Sequence, residues 1–307
     1  MSTARVVIAG GAGLIGSELA RSLRADGIEV TRLVRRPARA PDEAEWSAAA
    51  APDSGVLDPE VLAGAAAVVC LNGASIGRLP WTRRYRETLR RSRIEPTRAL
   101  AAAIRALGSE APALLAGSAV GYYGHRPGEE IDETGAPGAT FLAGLCAEWE
   151  REALAAGPAA RVVLLRTAPL LHRRGVLKPL MALTRLGLSG PLGSGRQIWP
   201  WISLEDEVRA IRHLIDSAIE GPVNLTGPTP ASANEIGREL ARAMRRPFAL
   251  PAPAWALRLA LGVDAADSLL LADARVVPAV LERSGFEFRH RDPATAVAAA
   301  LDAEPEG

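Results

Sequence analysis

The stretch Arg5–Arg36, RVVIAGGAGLIGSELARSLRADGIEVTRLVRR, constrains this chain more than any other. Val6, Val7, Ile8 and Ala9 form a short, mostly β-branched run suited to a strand buried on both faces. Gly10, Gly11, Gly13 and Gly16 follow at once, and the amphipathic run Leu14–Ala25 begins among them. Glycines there permit a tight turn and close approach of a ligand, and the helix N-terminus offers free N–H groups to a pyrophosphate. Asp26-Gly27 ends the helix, and Ile28–Val34 reads as a second strand. A lone G-x-G-x-x-G is weak. Between strand and helix, with a second strand at βαβ distance, it predicts a dinucleotide held by Gly10, Gly13, Leu14, Ile15 and Gly16. The alternative is a turn that only packs a helix on a strand.

The end of the second strand selects the cofactor. NAD-binding versions place an acid about 20 residues past the glycines to accept bonds from the ribose 2′-OH. Here Val34 is followed by Arg35 and Arg36. Guanidinium groups grip a 2′-phosphate in bidentate fashion, so NADP(H) is expected over NAD. The plainer reading is a solvated loop in an arginine-rich protein.

With 307 residues, 48% of them hydrophobic, the chain can bury the core of one large domain or two interleaved ones. A net charge of +1 gives no pull toward nucleic acid or an acidic membrane. Cys70 and Cys146 make no disulfide framework and have no metal-ligand companions at useful spacing, so no metal site is expected. No apolar run reaches membrane-spanning length, and the N-terminus enters a strand directly, without a signal peptide. A soluble cytoplasmic protein is the expectation.

Further along, Pro37–Gly55 is expected to hold a short third strand near Trp46 and then a loop. Asp58-Pro59 reads as a helix start. Ala66–Leu71 is a buried strand, and Leu71, Asn72, Gly73 and Ala74 stand at its carboxyl end, where ligands of parallel sheets bind. Tyr85–Leu107 is helical, with Pro96 expected to kink or divide it. Strand Ala113–Ala116 leads into SAVGYYG at Ser118–Gly124, then helix Thr140–Ala156 and strand Ala160–Arg166. This alternation predicts an α/β doubly wound parallel sheet.

Beyond Thr167, the segment Gly195–Trp201 sets two tryptophans beside Arg196 and Gln197, to cover a ligand or to pack a domain interface. Leu204–Ala218 and Ser232–Ala243 are helices, the second with a capping box at Ser232 and Glu235. Pro222–Leu225 is a late strand returning to the first sheet. Residues 1–167, with 203–227, therefore form the cofactor domain. Residues 168–202 and 228–307 form a smaller, mostly helical C-terminal substrate lobe.

With these motifs in view the chain resembles an atypical extended-type short-chain dehydrogenase/reductase, in the subgroup of epimerase family proteins, some of them cell-division-inhibitor-like. The pattern runs through the glycine turn and the arginine after the second strand, then Leu71–Ile76 ahead of Trp81 and Ser92-Arg93-Ile94 with Thr97. It continues in Ser118–Gly124, Phe141-Leu142 with Cys146, Trp149-Glu150, Arg166-Thr167, Gly193–Asp206 and Gly285–Phe288. The resemblance implies a Rossmann-type domain binding NADP(H) beside a small C-terminal domain. Two positions depart from it: Cys70-Leu71-Asn72-Gly73 stands where relatives often have Asn-Leu-Ala-Gly, and Ser203 stands where they commonly have His.

Typical members of that superfamily carry Tyr-x-x-x-Lys on the helix after the fifth strand, the lysine lowering the tyrosine pKa. This chain cannot supply the pair. Its only lysine is Lys178, and the aligned helix positions are Leu142 and Cys146, or Phe141 and Leu145. Tyr123, at the tyrosine of the extended-type signature, and Ser118 are the remaining catalytic candidates; Tyr122 ranks behind Tyr123 because adjacent side chains point apart. Cys146 reads as an apolar filler, Glu150 as an ion-pair partner and His125 as a surface residue. Arg93, Arg196 and Gln197 are candidates for an anionic substrate such as a nucleotide sugar, with an interface role as the alternative for Arg196. Two functions stay open. One is an NADP(H)-dependent oxidoreductase or epimerase, monomer or homodimer, acting on a small molecule. The other is a non-catalytic sensor of NADP(H) or a metabolite.

Overall fold

The structure, a computed structural model, describes residues 5–47 and 57–302. β1 (Arg5–Ala9), α1 (Leu14–Ala25), β2 (Glu29–Val34) and β3 (Glu43–Glu45) wind outward in one direction. β4 (Ala67–Cys70), α2 (Arg83–Ala106) and β5 (Ala113–Ala119) wind in the other. β6 (Arg126–Ile131) leaves the sheet; α3 (Phe141–Leu154) and β7 (Val162–Thr167) return to it. After α4 (Leu177–Arg185), β8 (Ile198–Trp199) and α5 (Leu204–Ile215), β9 (Gly221–Leu225) closes the far edge. The remainder is β10 (Ala231–Ser232), α6 (Ala233–Ala243), α7 (Ala254–Leu261), α8 (Val263–Leu269), β11 (Ala274–Val276), α9 (Ala279–Arg283) and α10 (Pro293–Asp302).

Seven strands run parallel in the order β3-β2-β1-β4-β5-β7-β9. The order reverses between β1 and β4, which opens a crevice beyond their carboxyl ends. Alternate residues of the central strands face opposite layers. Val6, Ile8, Leu115 and Leu165 pack with Leu19 and Leu23 of α1 and Val208, Ile211 and Leu214 of α5. Val7, Ala9, Val68 and Leu114 pack with Leu100 and Ile104 of α2 and Ala153 of α3. Burial on both faces is what the unbroken apolar runs of β1 and β4 require.

The C-terminal segment contributes to the same core. Ala274, Val276, Leu281 and Phe288 join the α1 side of the sheet, while Trp199, Trp201, Ile236, Leu240 and Val297 form an apolar cluster of their own. Two small pairings have no signal in the sequence: β11 runs parallel to β6, and β10 runs antiparallel to β8.

Several expectations are corrected. Pro96 does not divide its helix, which is continuous from Arg83 to Ala106. Proline removes one i→i−4 bond, and Leu89, Ile94, Leu100 and Ile104, buried on either side of it, hold both halves in place. Asp58 does cap, accepting from the Glu60 N–H, but the helix it starts is a single 3-10 turn, Pro59–Val61. The third strand lies at Glu43–Glu45 beside Trp46; the loop expected after it falls, from residue 48 on, outside the described residues. No helix among them is long and apolar enough to cross a membrane.

Leu115, fully buried at the centre of β5, tests the core. Leu115→Ala should lower unfolding free energy by about 2–5 kcal/mol in urea titrations. Arg91→Ala, at an exposed position of α2, should stay within about 0.5 kcal/mol of wild type.

Candidate active site at the sheet crossover

The glycine turn occupies the crevice between β1 and β4. Gly10 has φ +88°, and a Cβ there would stand 2.7 Å from the Leu71 carbonyl carbon. A Cβ on Gly16 would stand 2.5 Å from the Gly10 oxygen. Backbone fills both spaces, so only glycine fits, and the turn presents main chain rather than side chains to a ligand. Gly13 caps α1 without any side-chain bond to the first turn, which leaves the N–H groups near Leu14 and Ile15 uncovered. This cradle fits a pyrophosphate. Leu71, Asn72, Gly73 and Ala74 form its opposite wall, with the Leu71 N–H bonded to the Ala9 carbonyl.

At the end of β2 the two arginines have different fates. Arg35 is exposed and has no hydrogen bond or ion pair among the described residues. Arg36 forms a two-pronged pair with Glu43, 2.8 Å on each side. That bond, helped by the Arg39 N–H, holds the Glu43 carboxyl down at about 2. Arg32, which the sequence reading passed over, reaches Asp42 and Glu43 at 3.2 and 3.1 Å and lays its stem against Gly11. Its sequence signal is a basic residue within the strand Glu29–Val34.

Arg93 stands behind the β4 loop. Its guanidinium donates to the Leu89 and Ala74 carbonyls at 3.1 Å each and lies 5.3 Å over the Trp149 ring. A Cβ on Gly73 would come within 3.0 Å of its Cζ. No carboxylate pairs with it among the described residues, and burial depresses its pKa. Cys146 is buried, and its thiol is pushed up to about 12 by burial and by the Glu150 charge. It is therefore an unreactive filler.

The other candidates meet in a buried network centred on Arg166. Its guanidinium donates to both Glu150 oxygens at 2.9 Å, to the Tyr123 hydroxyl at 2.8 Å and to the Glu133 carbonyl at 3.1 Å. Burial alone would depress the Arg166 pKa, but Glu150 and the Tyr123 hydroxyl outweigh it and hold the group above its ordinary value. Ser118 donates to Glu150 at 2.7 Å, and Tyr123 donates to Asn224 Oδ1 at 2.7 Å. Tyr123 is 0% exposed, and burial pushes its pKa up to about 12 against the pull of Arg166. Tyr123 and Ser118 are thus brought together, with hydroxyls turned to protein partners inside the fold. Tyr122 is half-buried, its ring 3.7 Å from the Arg166 guanidinium, and its hydroxyl has no hydrogen bond among the described residues. Arg166, Asn224 and Glu133 were missed as network members; a charge closing the apolar run VVLLR was the one available signal.

In the Gly195–Trp201 loop, Gln197 is buried and spends its amide on the Leu192 and Leu270 carbonyls, both at 2.9 Å. Trp199 and Trp201 donate to the Leu270 and Thr229 carbonyls and pack the C-terminal cluster. Arg196 is exposed, and its side chain has no partner among the described residues. His125 is exposed and accepts from the Asp273 N–H. Glu207 on α5 is fully buried, with one oxygen bonded by Thr167 at 2.7 Å and the other without a partner among the described residues. Burial pushes its pKa up to about 8. Among the described residues no cluster suits a metal ion.

Comparisons with known proteins follow the same outline. The model of the NAD dependent epimerase/dehydratase family matches residues 6–225, and a domain of unknown function matches residues 252–300. An epimerase family protein of Mycobacterium bovis is 44% identical over 295 residues, covering 94% of this chain and 95% of its own. The human epimerase family protein SDR39U1, solved with NADPH, superposes with a TM-score of 0.87 at 28% identity, over 97% of this chain and 100% of that one. MoeE5, solved with UDP-glucuronic acid and NAD, has a TM-score of 0.75 at 21% identity over 97% and 98%, a likeness of fold.

Two stability measurements probe the buried charges. Glu150→Ala strands Arg166 without its counter-charge and should cost about 3–5 kcal/mol by chemical denaturation. Glu207 keeps its proton in the folded chain to about pH 8, against 4.5 for an ordinary glutamate. Because the folded state binds more protons in that window, stability should fall as pH rises from about 5 to about 8. Thermal melts of Glu207→Gln should lack that decline.

Proposed function

The chain belongs to the NAD-dependent epimerase/dehydratase family, and on that footing we propose that it is an NADP(H)-dependent oxidoreductase or epimerase acting on a small anionic substrate. The observation that carries this reading is the cradle at Gly10, Gly13 and Gly16, lined by main chain and closed to a side chain at Gly10 and Gly16. Leu14 and Ile15 would hold the pyrophosphate with them, and Leu71–Ala74 would line the opposite wall. Arg35, unpaired and exposed at the end of β2, would take the 2′-phosphate; Arg36, occupied by Glu43, would contribute only if that pair opened. The NADPH bound to the human relative supports the choice of cofactor.

When bound, NADP(H) supplies or accepts a hydride. The chain must then position substrate and move a proton. Arg93 and Arg196, both without a carboxylate partner among the described residues, are the cations we assign to substrate anions. Gln197 holds the loop that carries Arg196. Of the two adjacent tyrosines, Tyr122 has the unbonded hydroxyl, and we assign the proton to it; Tyr123 and Ser118 keep the Arg166–Glu150 pair in place behind it. A second reading, a sensor that binds NADP(H) without turnover, is favoured by those same inward-turned hydroxyls and by the absence of lysine and phenol on α3.

Binding and turnover separate these readings. NADPH should bind more tightly than NADH, and Arg35→Ala should weaken NADPH by about tenfold while sparing NADH, since one charge-assisted contact is lost. Equal affinity for the two dinucleotides would remove the 2′-phosphate assignment. With carbonyl compounds and nucleotide sugars as substrates, Tyr122→Phe should cut turnover by about 10²-fold or more. Tyr123→Phe should lower the melting temperature instead. Tight NADPH binding with no turnover on any substrate would decide for the sensor.

A further inference from the structure

A cavity of about 970 Å³ opens between α1, α4, α5 and α10. Of the residues assigned to the crevice only Leu14 borders it, so it is a separate space on the α1 side of the sheet. Six cationic side chains line it, Arg21, Arg173, Arg174, Lys178, Arg185 and Arg209, against two carboxylates, Glu18 and Glu205. For a chain whose net charge is only +1 this is a marked concentration. Some of it is compensated. Arg21 pairs with Glu18, and Arg209 lies 3.3 Å from Asp206.

Lys178 and Arg185 differ. They lie seven residues apart on α4, with Met181 between them facing the same space, so they share one face of the helix. Neither side chain has a hydrogen bond or ion pair among the described residues. His290 is fixed in the wall of the same cavity. Its Nδ1 lies 2.9 Å from Ser203 Oγ, and its backbone N–H donates to Asp206 at 2.9 Å. Asp206 and Ser203 are themselves buried. The other ring nitrogen, Nε2, has no partner among the described residues. Leu14, Leu171, Met181, Val208, Ala296 and Ala300 add apolar surface to the lining, alongside the polar Ser17, Ser22 and His172.

Two unpaired cations beside apolar surface suit an organic phosphate better than a bare ion. The charged head takes several N–H donors, and the body displaces water from the aliphatic surface. We propose that this cavity is a second ligand site for a small organic phosphate carrying at least two negative charges. Lys178, Arg185 and His290 Nε2 hold the phosphate, and the site is distinct from the one for NADP(H).

The test uses adenosine diphosphate and inorganic pyrophosphate as probes on the NADPH-saturated full chain, by calorimetry at low salt. Adenosine diphosphate should bind without displacing NADPH, and pyrophosphate should bind more weakly for want of the apolar contacts. Lys178→Glu and Arg185→Glu, both at exposed positions, should each weaken adenosine diphosphate by about tenfold or more and leave NADPH affinity within about twofold. Three results overturn the proposal: no adenosine diphosphate binding, binding indifferent to both charge reversals, or displacement of NADPH by the probe. Should NADPH itself fail to bind, the cofactor reading falls alone, and the same titration of the unloaded protein decides on the cavity.

Discussion

The pairing of Arg166 with Glu150 is the interaction on which the rest of this molecule leans. A guanidinium at the end of a buried strand is costly to desolvate and stays only if its N–H groups all find acceptors. Glu150 takes two of them from α3, and the Tyr123 hydroxyl and the Glu133 carbonyl take two more from Nη1. Tyr123 passes the chain of bonds to Asn224 on β9, whose side-chain amide holds the Val277 carbonyl beyond β11. Five separated segments are drawn together by one cation. The turn after β5 therefore sits on a rigid polar base beside the crevice.

That base changes which groups can do chemistry. A phenol with its pKa near 12 and its hydroxyl bonded on both sides is poorly suited to exchange protons with a substrate. The groups with unspent bonding capacity lie around the network: the Tyr122 hydroxyl, the Arg93 guanidinium against carbonyls alone, and Arg196 in solvent. At the other end of the crevice the same accounting separates Arg35 from Arg36, because Glu43 already engages one of them. In both places, what a side chain can offer a ligand is decided by what the protein has already taken from it.

Local signals were read well wherever the cause was local. The glycine turn, α1 to its last residue, the capping box at Ser232 and the buried runs of β1, β4 and β7 follow from periodicity, backbone freedom and cap chemistry within a few turns of chain. The readings that needed correction involve long-range packing. Pro96 is carried through by burial on either side of it. Gln197 donates its amide to the Leu192 and Leu270 carbonyls, bonds that its place in the sequence does not show. The pairing of β6 with β11 joins segments more than a hundred residues apart, and neither has a composition that marks it.

The sequence by itself determined the doubly wound sheet, its glycine turn and the basic residues after β2, because each rests on a repeat or spacing that acts along the chain. It also shows a single lysine, Lys178, and neither tyrosine nor lysine within Phe141–Leu154, since composition needs no geometry. Only the tertiary structure decided which of two adjacent tyrosines keeps a free hydroxyl, which of two adjacent arginines is already paired, and which basic residues face one cavity. Those are questions of burial and of partners distant in sequence. A side chain's chemistry is set by the low-dielectric surroundings and bonds it finally acquires, and these exist only once the segments have packed.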